Sequence, residues 1–84
     1  MSRVEVRVPA QGDGVDTCLL VEWLAHQGDR VAAGHPLFVV ETGKADFTVD
    51  APVGGRLVEV LAAEGDEVAV HAVVVRLETD EAPG

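Results

Sequence analysis

The chain has 84 residues, 48% of them apolar and 25% charged, with nine glycines and four prolines spread along its length. It is long enough for one small globular domain and too short for a second domain or a deep enzymatic cleft, since a chain of this size buries only about 60–70% of its unfolded surface. Fifteen acidic residues against six basic ones give a net charge of −9, and such a field repels phosphate backbones and anionic headgroups, which excludes nucleic-acid and membrane-surface roles.

No apolar run approaches the roughly 18 residues that cross a bilayer. The single cysteine, Cys18, cannot form an internal disulfide, and Met1-Ser2-Arg3 leads into charge instead of an apolar targeting segment. A reducing, cytoplasmic setting is expected.

Taken in chain order, Arg3 to Val8 alternates charged and apolar residues with a period of two, which puts Val4, Val6 and Val8 on one face of a strand. Cys18 to Ala25, Pro36 to Thr42, Ala45 to Ala51, Arg56 to Ala62 and Val73 to Thr79 are Val- and Leu-rich runs of strand length. Turn residues separate them at Gln27-Gly28-Asp29, Gly34-His35-Pro36, Pro52-Val53-Gly54-Gly55 and Glu64-Gly65-Asp66. No helix of consequence is expected. Short strands with close-set turns predict an all-β flattened barrel or sandwich, with Trp23, Phe38 and Phe47 in or beside its core. Residues 1–79 form the domain, and Asp80-Glu81-Ala82-Pro83-Gly84 reads as the start of a linker.

The chain also repeats itself. Residues 20 to 42 match residues 57 to 79 at a constant offset of 37 with no gap, and 11 of the 23 positions are identical. Leu20-Val21-Glu22 meets Leu57-Val58-Glu59, Gly28-Asp29 meets Gly65-Asp66, and Glu41-Thr42 meets Glu78-Thr79. Two copies are too few for a solenoid, so a closed pseudo-twofold arrangement is expected.

Five of the six cations are arginines, and Lys44 is the only lysine. It falls between two predicted strands, next to Gly43, which is expected to supply the backbone freedom of a tight hairpin. Its counterpart in the second repeat is Glu81, so the repeat loses its symmetry there. An exposed amine beside Glu41 and Asp46 stays protonated near pH 7, with only about one molecule in a few thousand neutral. Lys44 is therefore a poor general base or Schiff-base former. It is an accessible handle for an enzyme that brings its own activated carboxyl group, and an amide there places a long neutral arm at the tip of a rigid body.

The sequence Glu41-Thr42-Gly43-Lys44-Ala45, followed by Val49-Asp50-Ala51-Pro52-Val53-Gly54-Gly55, resembles the lipoyl domain of 2-oxoacid dehydrogenase acyltransferases. The resemblance takes in Pro9-Ala10-Gln11-Gly12-Asp13-Gly14, Val21-Glu22-Trp23-Leu24 and both Gly-Asp-x-Val turns. It implies a barrel-sandwich of two four-stranded antiparallel sheets related by a pseudo-twofold axis, with the modified lysine at one end and both termini at the other.

On this resemblance Lys44 carries lipoate, attached by a lipoate ligase or lipoyltransferase. The arm then serves a thiamin-dependent 2-oxoacid decarboxylase, an acyltransferase core and a dihydrolipoamide dehydrogenase. Glu41, Thr42, Gly43 and Ala45, together with Gln11 and Asp13 in a loop near the hairpin, are implied to guide partner choice, and the isolated domain is implied to be a monomer and a non-catalytic carrier. The chain departs from the family's usual Glu-Thr-Asp-Lys-Ala at Gly43, and Gln11 stands where leucine is common.

Two alternatives share the fold. A biotin carrier usually flanks its lysine with methionines, whereas Gly43 and Ala45 flank this one and Met1 is the only methionine. An unmodified adaptor module has no need of a single lysine at a hairpin apex. His26, His35 and His71 lack the paired spacing of a metal site, and Cys18 is expected to be a small buried apolar residue.

Overall fold

Valine-rich runs with period-two alternation give strands here because branched side chains pack well on a pleated, half-buried surface. The computed structural model describes residues 2–10, 14, 16–43 and 45–79. The strands are β1 (Ser2–Arg7), β2 (Thr17–Trp23), β3 (Arg30–Val31), β4 (Pro36–Glu41), β5 (Asp46–Asp50), β6 (Gly55–Val60), β7 (Glu67–Ala69) and β8 (Val73–Thr79). Six of these are the strands predicted above, shifted by a residue or two at their ends. The two short ones, β3 and β7, directly follow the Gly-Asp turns and are too brief to show a period. The predicted tail, residues 80–84, lies outside the described residues.

The strands form two four-stranded antiparallel sheets, in the orders β1-β8-β6-β3 and β5-β4-β2-β7. Replacing each strand of the first sheet by its repeat-equivalent gives the second, with β1 taking the place of β5. The pseudo-twofold inferred from sequence thus extends beyond the matched segment to a pair of strands with no obvious sequence likeness. Backbone bonds follow it as well. The Gly28 N–H donates to the Leu57 carbonyl at 2.7 Å, and the Gly65 N–H to that of Leu20 at 2.8 Å; the Gly34 N–H donates to Ala51 O and the His71 N–H to Val8 O, both at 2.8 Å.

The Gly-Asp turns recur for a local reason. Gly28 and Gly65 have φ of 95° and 92°, left-handed values that glycine adopts without a Cβ penalty. In each turn the aspartate then accepts a backbone N–H from three residues earlier, His26 to Asp29 and Ala63 to Asp66, both at 2.9 Å. At the other turn pair Gly34 has φ 85°, and its equivalent His71 has φ 71° without being glycine.

The core fills from equivalent positions on the two inner faces: Leu20 and Leu57, Phe38 and Val75, Val40 and Leu77, Ala51 and Val8 are all buried. Its filling is uneven. Phe38 packs against Trp23 with tilted rings whose centroids lie 5.0 Å apart, where the second repeat has Val75 and Val60. Trp23 is half-buried beside the core and donates its indole N–H to the Ala62 carbonyl at 3.0 Å. Phe47 departs from expectation. It shares the inward face with Val49 on edge strand β5 but retains 40% of its surface in solvent, because it lies at the last inward position before the hairpin, opposite Val40.

Cys18 is buried in β2, as expected, and burial pushes its thiol up from its ordinary range. Among the described residues no group of histidines, cysteines or acids is placed to hold a metal.

Candidate functional site

The link between β4 and β5 is held shut from within. Glu41 and Asp46 are the last paired residues of the two strands. Beyond them the Thr42 N–H donates to the Ala45 carbonyl at 2.9 Å. The Thr42 hydroxyl donates to the same carbonyl at 3.2 Å and accepts the Ala45 N–H at 3.4 Å. A threonine at this position therefore does what a second backbone bond would otherwise do, and only residues 43 and 44 lie beyond the clasp.

The structure brings Glu41, Thr42, Gly43 and Ala45 together at this end of the sheet. Lys44, Gln11 and Asp13 lie outside the described residues. Gly43 corrects one expectation: its φ is not left-handed, unlike those of Gly14, Gly28, Gly34 and Gly65. The turn is thus not of the primed types, which need positive φ at the first apical residue. A Cβ at Gly43 would meet nothing within 4 Å, so the backbone admits any ordinary residue there, the family's aspartate included. The space beside Gly43 is open.

The surroundings are acidic and partly apolar. Glu41, Ala45 and Asp46 are exposed, and Phe47 is adjacent. On the outer face of the sheet one ladder row runs Glu67, Leu19, Glu41, Asp46 across β7, β2, β4 and β5. Leu19 and Glu67 were not among the residues that sequence singled out. Their only signal was phase: Leu19 lies out of step with the buried Cys18 and Leu20, so it faces water at 41% exposure.

Comparison with known proteins gives a consistent family assignment. Residues 4–77 match the biotin/lipoyl family, described as "Biotin-requiring enzyme". The chain is 38% identical over 78 residues to the dihydrolipoyllysine-residue succinyltransferase component of the 2-oxoglutarate dehydrogenase complex of Bartonella vinsonii subsp. berkhoffii, covering 93% of this chain and 19% of that protein. It is 40% identical over 73 residues to the dihydrolipoyllysine-residue acetyltransferase component of the pyruvate dehydrogenase complex of Corynebacterium glutamicum, covering 87% and 11%. The chain therefore spans a fifth or less of these relatives.

Among solved structures, the lipoyl domain of the 2-oxoglutarate dehydrogenase complex from Azotobacter vinelandii superposes with TM-score 0.76 at 21% identity, over 90% of this chain and 96% of that one. A single-chain, multi-domain long-chain acyl-CoA carboxylase superposes with TM-score 0.73 at 30% identity, over 93% of this chain and 7% of that one.

Proposed function

We propose, since the chain belongs to the biotin/lipoyl attachment family and its relatives at 38% and 40% identity are dihydrolipoyllysine components of 2-oxoacid dehydrogenase complexes, that Lys44 carries lipoate in amide linkage and that the domain presents it to the active sites of a 2-oxoacid dehydrogenase complex. The observation that carries this reading is the clasped Thr42–Ala45 link, which in sequence holds the chain's one lysine between two small residues. Bound lipoate would supply a dithiolane that accepts an acyl group and two electrons and hands them on. The protein's own part is positional. The Thr42 hydroxyl rigidifies the base of the arm, and the open space at Gly43 admits an approaching enzyme.

Because a lysine amine is ordinarily protonated near neutral pH, the modifying enzyme, a lipoate ligase or lipoyltransferase, brings an activated carboxyl. The Lys44 ammonium gives up one proton to become a free amine and a second as the C–N amide bond forms, and the activating group leaves from the carboxyl carbon. The partners in turnover are a thiamin-dependent 2-oxoacid decarboxylase, an acyltransferase core and a dihydrolipoamide dehydrogenase. Gln11 and Asp13 join the hairpin residues in partner choice, the domain is monomeric when isolated, and it acts in the cytoplasm.

A biotin carrier is the second reading, favoured by the likeness to the carboxylase chain. Lipoate is preferred because the relatives at 38% and 40% identity are dihydrolipoyllysine components and because the flanks Gly43 and Ala45 are not methionines. The test is the mass of the Lys44 peptide from chain purified from its native host. A lipoyl adduct, absent from Lys44→Arg, is expected; a biotinyl adduct or an unmodified lysine would overturn the proposal.

A further inference from the structure

The two sheets share one backbone plan and differ in charge. All five arginines, Arg3, Arg7, Arg30, Arg56 and Arg76, lie on strands of the β1-β8-β6-β3 sheet. Every charged residue on strands of the other sheet is acidic: Glu22, Glu41, Asp46, Asp50 and Glu67. On the first sheet two of the three strand acids, Glu5 and Glu59, are ion-paired. Arg76 bonds both Glu59 and Glu5, the latter at 3.2 Å, and Arg7 bonds Glu5 at 2.9 Å. None of the five acids on the second sheet has an ion-pair partner among the described residues.

Equivalent ladder rows make the contrast sharp. On the first sheet the row is Arg30, Arg56, Glu78, Arg3, in which Glu78 has an arginine on either side. Its pseudo-equivalent on the second sheet is Glu67, Leu19, Glu41, Asp46, in which Glu41 and Asp46 stand directly opposite each other with like charge. Like charges in register destabilise a sheet. Each row holds one like-charge pair, Arg30 opposite Arg56 on the first sheet and Glu41 opposite Asp46 on the second, but the positions of Glu41 and Asp46 hold Glu78 and Arg3 in the other half, so the fold does not require like charge there. An exposed leucine with acids on both sides along its row is the pattern of an apolar contact within a charged rim.

We propose that the outer face of the β5-β4-β2-β7 sheet docks a protein surface bearing lysine or arginine side chains around a small apolar contact, and that this surface belongs to the 2-oxoacid decarboxylase served by Lys44. The inference rests on the carrier reading and adds to it the face, the residues and the charge of the partner. Charge complementarity sets encounter rate and orientation, so docking on this face delivers the adjacent hairpin to the decarboxylase in one orientation.

The test compares two triple variants of the lipoylated domain as substrates for the purified decarboxylase of the same organism. E41Q/D46N/E67Q is expected to lower kcat/KM for reductive acylation about tenfold at low ionic strength, with the deficit shrinking to about twofold near 0.5 M salt. R3Q/R30Q/R56Q, which makes the chain more acidic from the other sheet, is expected to stay within about twofold of the parent. Leu19→Ser is expected to lower kcat/KM by a factor that salt does not restore. Equal rates for the two triple variants, or a rate gain in the arginine variant matching the loss in the acidic one, would overturn the proposal in favour of net charge alone.

A second readout separates this proposal from the carrier reading. In the unmodified, isotope-labelled chain, adding the decarboxylase is expected to shift the amide signals of Leu19, Glu41, Asp46 and Glu67 before those of β1 and β6. An unmodified Lys44 in the native protein sinks the carrier reading. A lipoylated Lys44 with no shifts on this face sinks only the docking face.

Discussion

At one place Glu41 faces Asp46 and the chain turns through a clasped four-residue link; at the pseudo-equivalent place Glu78 faces Arg3, Thr79 pairs with Ser2, and no link joins the two strands. Everything around these two places is nearly interchangeable: strand order, the Gly-Asp turns and the inward residues of the ladders. The difference teaches that the barrel is a scaffold built twice and put to use once. Structural demands are met alike in both halves, so the features that only one half carries are the candidates for function.

Breaking the comparison in the core has the largest effect. Phe38 is fully buried and Phe47 is 40% exposed, although both were read from sequence as lying in or beside the core. Phe38→Ala is expected to cost about 3–5 kcal/mol by leaving a cavity, against about 1 kcal/mol for Phe47→Ala, measured by chemical denaturation. A comparable loss from both would mean that Phe47 is packed as the equivalent of a core residue.

A smaller effect separates two glycines. A Cβ at Gly55 would come to 2.4 Å from the backbone oxygen of Glu78, whereas one at Gly43 would touch nothing within 4 Å. Gly55→Ala is therefore expected to destabilise by about 1–3 kcal/mol because β6 must move off β8, and Gly43→Ala by less than about 0.5 kcal/mol. The same denaturation curves check both.

The smallest effect sharpens the match between turns. His71 holds φ 71° where its equivalent Gly34 holds 85°, and a non-glycine residue there carries about 1–2 kcal/mol of strain. His71→Gly relieves that strain while giving the unfolded chain more freedom, so a net gain of up to about 1 kcal/mol in stability is expected, with a loss of similar size for Gly34→Ala. The Arg7 guanidinium bond to the His71 carbonyl at 3.0 Å involves only backbone at His71 and survives the change.

Much of this was legible in the sequence because it is written in local rules. Period-two alternation located β1, the offset of 37 located the second half, and the Gly-Asp pairs located turns that need left-handed backbone. What was not legible depends on three-dimensional position. Phe47 has the composition and phase of a core residue, but it sits where the facing sheet no longer covers it. Gly43 looked like a turn glycine, yet the Thr42 side chain closes the link and leaves Gly43 with no left-handed demand. The strands β3 and β7 are set by pairing with β6 and β2, not by their own two or three residues. The acidic row emerges only when residues distant in sequence are brought into register.

The central claim is tested most directly by offering the purified chain to two enzymes in separate reactions, a lipoate ligase with lipoate and a biotin ligase with biotin, and weighing the product of each. A single lipoyl group on the Lys44 peptide, with no mass gained in the biotin reaction, is the result predicted. A biotinylated Lys44 with the lipoate reaction blank would contradict it.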